Sequence, residues 1–247
     1  MEKISVIIIT KDEESSIREC LKSVRWVDEI IVVDAESTDK TVELAKNYTG
    51  KIFIKEWEGF AKQKSYALAQ AKNEWVLSID ADERISSSLK EEIQILDFSS
   101  ADGYLIQRED YFLKKHITTC GWNRDYQLRL FKKSKTHLTD RLVHEGFVVD
   151  GKVNHLKNHL IHYTFTSIEK TIIKINNYST LQAIEKYKNS KKVSGWTITV
   201  HGLSSFFRSF FSLKGFKDGV HGLIISFIDS LTTFLTYMKI WEMQNKG

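Results

Sequence analysis

Asp80, Asp82 and Glu83 place three carboxylates within four residues, directly after the apolar run Trp75-Val76-Leu77-Ser78-Ile79. Residues two apart share a face of an extended chain, so Asp80 and Asp82 can serve one ligand, one binding a divalent cation and the other orienting it or a sugar. Hard carboxylate oxygens suit Mg²⁺ or Mn²⁺, which binds through one or two carboxylates plus substrate phosphates. A D-x-D pattern is weak by itself, and a solvated acidic turn ahead of a helix capped in Ser86-Ser87-Ser88 uses the same residues. Two further polar tips favour the ligand reading. Ile4 to Ile9 ends at Thr10, Asp12 and Glu13, and Ile30 to Val33 ends at Asp34, with Asp39 following.

These tips need elements that bring them together. The β-branched run Ile4 to Ile9 suits a central parallel strand, and Ile17, Cys20, Leu21 and Val24 then fall at helical spacing. Ile30 to Val33 is a second strand. Thr41 to Ala45 supplies another helix, Lys51 to Ile54 a third strand, and Gly59 to Ala71 a helix carrying Lys62 and Lys64 into the strand that ends at Asp80. Alternating strands and helices predict a parallel sheet whose strand ends Thr10, Asp34 and Asp80 line one edge, where open α/β sheets bind ligands. Beyond a helix at Leu89 to Leu96, Gly103 to Gln107 and Gln127 to Phe131 alternate apolar and polar residues. That pattern predicts half-exposed, mixed or antiparallel strands.

The composition is globular, with 28% charged and 42% apolar residues and a net charge of +4. From Lys114 onward basic residues outnumber acidic ones, which favours anionic partners such as phosphates or lipid headgroups; nothing points to nucleic acid. Cys20 and Cys120 match no metal or redox spacing, so free thiols in a reducing, cytoplasmic compartment are expected, and the first apolar run is too short for a signal sequence. With no proline in the chain, helix starts must rely on Ser, Thr and Asp caps.

With these residues assembled, the chain resembles the family 2 glycosyltransferases. The resemblance rests on Ser5 to Glu13, on Glu29 to Asp34 followed by Ser37-Thr38-Asp39-Lys40-Thr41, on Gln63-Lys64 and on Asp80-Ala81-Asp82-Glu83. It extends through Gly121-Trp122, Leu128-Arg129-Leu130-Phe131, Val143-His144-Glu145 and His162-Tyr163, pieces similar to small bacterial enzymes that decorate lipopolysaccharide core. Where many relatives have glycine after the second strand's Asp, this chain has Ala35-Glu36. Glutamate visits positive φ less easily, so a differently shaped loop is expected. The Gln-x-x-Arg-Trp signature of processive members is missing, which implies a single transfer.

The resemblance implies a GT-A-type, Rossmann-like mixed α/β sheet flanked by helices. It also implies inverting transfer from a nucleotide-diphosphate sugar, UDP-glucose-like, to a lipid-linked saccharide acceptor. Residues 1–165 would be catalytic, with a nucleotide-sugar half (1–100) and an acceptor half (101–165), and residues 166–247 a helical extension. Thr10, Asp12, Glu13, Asp34, Asp39, Lys64 and Asp80 would bind the donor, and Asp82 with Asp80 the Mg²⁺ or Mn²⁺. Inversion needs a base opposite the leaving group; Glu145 is the first candidate and Asp125 the second. His155 and His159 have the spacing of helical zinc ligands, but Val153 to Tyr163 reads as a strand, and the family pattern supports only His162 as a further metal ligand. A metal-dependent nucleotidyltransferase would also use strand-end carboxylates, but Thr10 to Ser16 has no Gly-rich phosphate loop. A non-catalytic membrane-associated binding protein would leave the acidic strand ends idle.

The tail from Trp196 to Trp241 alternates Phe206, Phe207, Phe210, Phe211 and Leu213 with Arg208, Lys214 and Lys217. A spanning helix needs about 20 mostly apolar residues, and His221 and Asp229 interrupt the nearest window. Two helices lying in the plane of the inner membrane's cytoplasmic surface are expected, with a core-packing or dimerising hairpin as the alternative.

Overall fold

The computed structural model describes residues 2–122, 126–138, 146–165, 167–188 and 192–246. In chain order these form β1 (Ile4–Thr10), α1 (Ile17–Ser23), β2 (Glu29–Asp34), α2 (Thr41–Ala45), β3 (Ile52–Ile54), α3 (Phe60–Gln70), β4 (Trp75–Asp80), β5 (Glu83–Ile85), α4 (Ser87–Gln94), β6 (Gly103–Phe112), β7 (Lys115–His116), β8 (Tyr126–Lys132), β9 (Thr136–Leu138), β10 (Phe147–Val149), β11 (Val153–Phe165), α5 (Ile168–Tyr187), α6 (Gly195–Phe207) and α7 (Val220–Asn245). The chain divides into two compact units. One comprises Met1–Glu109, Asp125–Arg141 and Glu145–His162; the other comprises Asp110–Arg124, Leu142–His144 and Tyr163–Gly247.

The first unit is built on a sheet of order β3-β2-β1-β4-β8-β6-β11-β5. Strands β3, β2, β1 and β4 run parallel, as their apolar runs and intervening helices require. Both faces of β1 are covered: Val6 and Ile8 pack with Ile17, Leu21, Leu89 and Ile93, while Ile7 packs with Ile31, Val33, Ala67 and Leu68. Beyond β4 the pairing is antiparallel, β4 to β8 and β8 to β6. The alternation in β8 does not mark a solvent face, however. β8 lies between β4 and β6, and Arg129 is only 4% exposed, because its polar position faces the buried Glu83 and the half-buried Asp80. The short strand β5 has no counterpart in the sequence reading. It pairs antiparallel with β11, setting Glu83 opposite His162 and Ile85 opposite Leu160.

In the second unit α7 packs against α5 and α6, and α6 and α7 form a hairpin joined by a π-helical turn at Arg208–Ser212 and a 3₁₀ turn at Gly215–Asp218. The close crossing depends on Gly202, where an added Cβ would meet the Phe234 ring at 2.4 Å, and Ser230 Oγ donates to the Gly202 carbonyl at 2.8 Å. Serine caps replace proline at helix starts: the side chains of Ser86, Ser167 and Ser194 accept from the backbones of Leu89, Lys170 and Thr197. Cys20 and Cys120 are both free and buried.

Candidate active site

Strand register brings the polar tips to one level. Thr10 lies beside Asp34, and Ile9 beside Asp80, so β2, β1 and β4 end together. Asp34 is fully buried: Thr10 Oγ1 donates to its Oδ2 at 2.6 Å, and the Ser37 hydroxyl and backbone N–H donate to its two oxygens at 2.6 and 2.8 Å. The loops after β1 and β2 are laced together by carboxylates. The Thr38 N–H donates to Asp12 at 2.8 Å, and the Asp12 N–H to Ser37 Oγ at 2.8 Å. The Glu13 N–H donates to Thr41 Oγ1 at 2.7 Å, and the Glu14 N–H to Asp39 at 3.0 Å. Burial works against the Asp39 charge, but the hydrogen bonds from Thr41 and Glu14 hold its carboxyl below the usual range. Glu36 does take a left-handed conformation, φ 57°, as does Asp12 in the other loop, φ 52°. The loop thus keeps the turn that glycine would favour, despite the side chain.

At the end of β4, Asp80 is held between cations. Arg129 donates to its Oδ2 at 2.8 Å, and Lys64 Nζ from α3 stands 3.4 Å from its Oδ1. Desolvation would raise the Asp80 carboxyl, but the charges of Arg129 and Lys64 outweigh it and hold it well below the usual carboxylate range. Glu83, fully buried, accepts from the same Arg129 nitrogen, and Arg108 lies 3.7 Å from that oxygen. Its other oxygen accepts the Asp80 N–H at 2.8 Å, which closes the turn Asp80-Ala81-Asp82-Glu83 on itself. Burial pushes the Glu83 carboxyl up, and the Asp80 charge adds to the rise. Arg129, although desolvated, is raised by those two carboxylates and stays charged.

Asp82 points elsewhere. Its Oδ2 lies 3.3 Å from His162 Nε2, on β11, which the β5 pairing carries to this point. Carboxylate oxygen and imidazole nitrogen together form a donor pair suited to a divalent cation. Among the described residues no cluster of three or more His, Cys, Asp or Glu side chains is gathered for a metal. The fit is therefore to an ion completed by water and phosphate oxygens, as Mg²⁺ and Mn²⁺ accept. His155 stacks edge-on to Tyr126 and His159 meets Gln107 at 3.1 Å, so the zinc spacing is spent on separate contacts along a strand. Glu145 and Asp125 lie outside the described residues.

Thr10, Asp34, Lys64, Asp80, Asp82 and His162 are thus placed around the ends of the central strands. Arg129, Glu83 and Arg108 complete the cluster; the sequence drew attention to Glu83 and Arg129 without giving either a role in the site, and Arg108 was not noticed. The signal for Arg129 was a charge inside the apolar run Leu128-Arg129-Leu130-Phe131, which demands a buried counter-charge.

The family model described as "Glycosyl transferase family 2" matches residues 5–149, the stretch that supplies every one of these groups except His162. The chain belongs to glycosyl transferase family 2. An uncharacterized glycosyltransferase of Rickettsia felis is 35% identical to this family 2 chain over 263 residues, spanning 98% of this chain and 90% of that one. The lipopolysaccharide core biosynthesis glycosyltransferase LpsC of Rhizobium meliloti is 29% identical over 248 residues, spanning 97% and 92%. Among solved structures, S. aureus TarS 1-349 in complex with UDP-GlcNAc superposes with a TM-score of 0.52 at 17% identity, covering 99% of this chain and 92% of that one. The shared architecture is the GT-A-type mixed sheet with helices on its faces.

Proposed function

We propose that this family 2 glycosyltransferase moves a single sugar, with inversion, from a nucleotide-diphosphate donor to a lipid-linked saccharide such as lipopolysaccharide core. The observation that carries the reading is the split of roles at the end of β4: Asp80 neutralised by Arg129 and Lys64, Asp82 turned to His162. The similarity to LpsC over 97% of the chain supports the acceptor class, and the UDP-GlcNAc held by TarS makes a UDP-sugar, UDP-glucose-like, the donor to try first.

In this reading residues 1–165 are catalytic, with the donor in the half formed by residues 1–100 and the acceptor in residues 101–165. Thr10 and Asp34 hold the base of the nucleoside site, and the loops laced through Asp12, Glu13 and Asp39 shape its wall. Asp82 and His162 hold the divalent cation, which when bound neutralises charge on the departing diphosphate. Asp80 orients the donor while Arg129 and Glu83 fix the turn beneath it, and Lys64 adds positive charge beside the phosphates. Glu145 removes the acceptor hydroxyl's proton, Asp125 being the second candidate. Residues 166–247 keep the protein peripheral on the cytoplasmic face of the membrane.

The test is to incubate the full chain with a panel of nucleotide sugars, with and without Mn²⁺, and identify the released nucleotide. Metal-dependent release of nucleoside diphosphate is expected. Release of sugar 1-phosphate only when pyrophosphate is added, with the nucleotidyl group leaving as nucleoside triphosphate, would instead mark a nucleotidyltransferase.

A further inference from the structure

Helix α6 contains no charged residue from Gly195 to Phe207, yet it is far from buried. Trp196, Val200, Leu203, Phe207 and Phe211 recur at steps of three and four, and are 77%, 41%, 48%, 54% and 55% exposed. That spacing puts them on one helical face, which runs on into the π-helical turn. A core helix would bury such a stripe. Here Gly202, opposite it, makes the contact with α7 instead.

At the end of the hairpin the aromatic surface continues. Phe206 stacks on Phe210 at 5.6 Å, Phe207 on Phe211 at 5.9 Å, and Phe216, 48% exposed, meets Phe210 edge-on at 6.3 Å. The exposed charges in this region are all basic, namely Arg208, Lys214 and Lys217. The two acidic side chains nearby are spent internally. Asp218 accepts from the Thr118 and Thr119 N–H groups, each at 3.1 Å, and from Thr119 Oγ1 at 2.6 Å. Asp229 accepts from Ser209 Oγ at 2.7 Å. The Cys120 N–H also donates to the Leu213 carbonyl at 3.1 Å, so the turn is braced before anything binds it. A ligand pays little ordering entropy on such a surface.

We infer that the α6 stripe and the Arg208–Lys217 turn form one membrane-seating surface, which lays Trp196, Leu203, Phe207 and Phe211 into the headgroup boundary of an anionic bilayer while Arg208, Lys214 and Lys217 hold its phosphates. The inference rests on the peripheral reading above and assigns it to a definite face. Charge decides the occupant. A second copy of the chain would offer this face the same three cations and no exposed acid to meet them, whereas anionic lipid complements them. Helix α7 is long and apolar enough to cross a membrane, but Asp229 sits mid-helix, bonded to α6's own turn. The hairpin therefore lies in the plane of the interface, anchored by aromatic insertion and headgroup attraction together.

The experiment is vesicle flotation of the full chain on phosphatidylcholine with and without phosphatidylglycerol, alongside two triple variants, Trp196→Ser/Phe207→Ser/Phe211→Ser and Arg208→Gln/Lys214→Gln/Lys217→Gln. All six side chains are exposed, and unchanged nucleotide-sugar turnover in detergent-free buffer confirms that the variants fold. The full chain should bind phosphatidylglycerol vesicles and be released by salt. Each triple variant should lose about tenfold or more in partitioning. If the full chain binds and the aromatic variant binds equally well, this face is not the seat, although the peripheral reading survives. A full chain that floats with neither vesicle overturns both. If the full chain is a dimer in solution and the aromatic variant is a monomer, the face belongs to a second copy.

Discussion

Arg129 donates to Asp80 at 2.8 Å from the neighbouring strand β8, across a sequence separation of 49, and the same nitrogen holds Glu83. One buried cation thereby fixes both ends of the turn that carries Asp82. Removing it leaves the buried Glu83 carboxylate facing the half-buried Asp80 with no cation between them.

Arg129→Met should therefore be costly to stability. Breaking a buried ion pair from one side destabilises by roughly 3–5 kcal/mol, which urea unfolding will show as a lowered midpoint. Pairing the change with Glu83→Gln should recover part of that loss, because Gln still accepts the Asp80 N–H without a buried charge. A double variant no more stable than Arg129→Met would show that the clamp is not electrostatic.

The central sheet was readable because β1, β2 and β4 are buried on both faces, so their runs are apolar almost throughout. The strand ends followed from the carboxylates that close those runs. The site's far wall was not readable, for a physical reason. Strand β5 has only three residues, Glu83-Arg84-Ile85, too few to carry a period, and it forms by pairing with β11 from distant sequence. That pairing is what delivers His162 to Asp82. Alternation in β8 was legible as a pattern, but pattern alone cannot distinguish water from a buried carboxylate as the partner of Arg129. Asp34 is similar: its position at the sheet edge was foreseeable, whereas its complete burial under Thr10 and Ser37 depends on how two loops close over it.

The left-handed Glu36 offers a test of stored strain. Its φ of 57° costs a non-glycine residue about 1 kcal/mol relative to Gly. Glu36→Gly should raise stability by no more than about 0.6 kcal/mol, since the flexibility gained by the unfolded chain offsets about 0.4–1 kcal/mol of the relief. A thermal melt showing a lowered Tm would mean that the Glu36 side chain makes a compensating contact.

Asp229 should make stability depend on pH. Burial pushes its carboxyl from the usual 3.8 up to about 6, despite the Ser209 hydrogen bond and the Arg208 charge. Between those values the folded state binds more protons than the unfolded one, so its contribution is full at the acid end and is lost as pH rises through about 6. The loss amounts to roughly 3 kcal/mol. Asp229→Asn keeps an acceptor for Ser209 and should flatten this slope in urea titrations run between about pH 4 and pH 8. An unchanged slope would place the dependence elsewhere.

Glu145→Gln should lower turnover by about 10²–10⁴-fold with little change in donor affinity, as loss of a general base does. Asp125→Asn is the control. If it alone removes turnover while Glu145→Gln spares it, the base is Asp125.

The central claim is that Asp82, with His162, holds a divalent cation against a nucleotide-sugar diphosphate at the end of β4. The most direct measurement is calorimetric titration of UDP into the full chain with and without Mn²⁺, repeated on Asp82→Asn. Binding should tighten at least about tenfold with Mn²⁺ in the native chain, and Mn²⁺ should lose that effect in Asp82→Asn, since one of two protein ligands to the ion is gone. Equal strengthening by Mn²⁺ in both proteins would contradict the assignment.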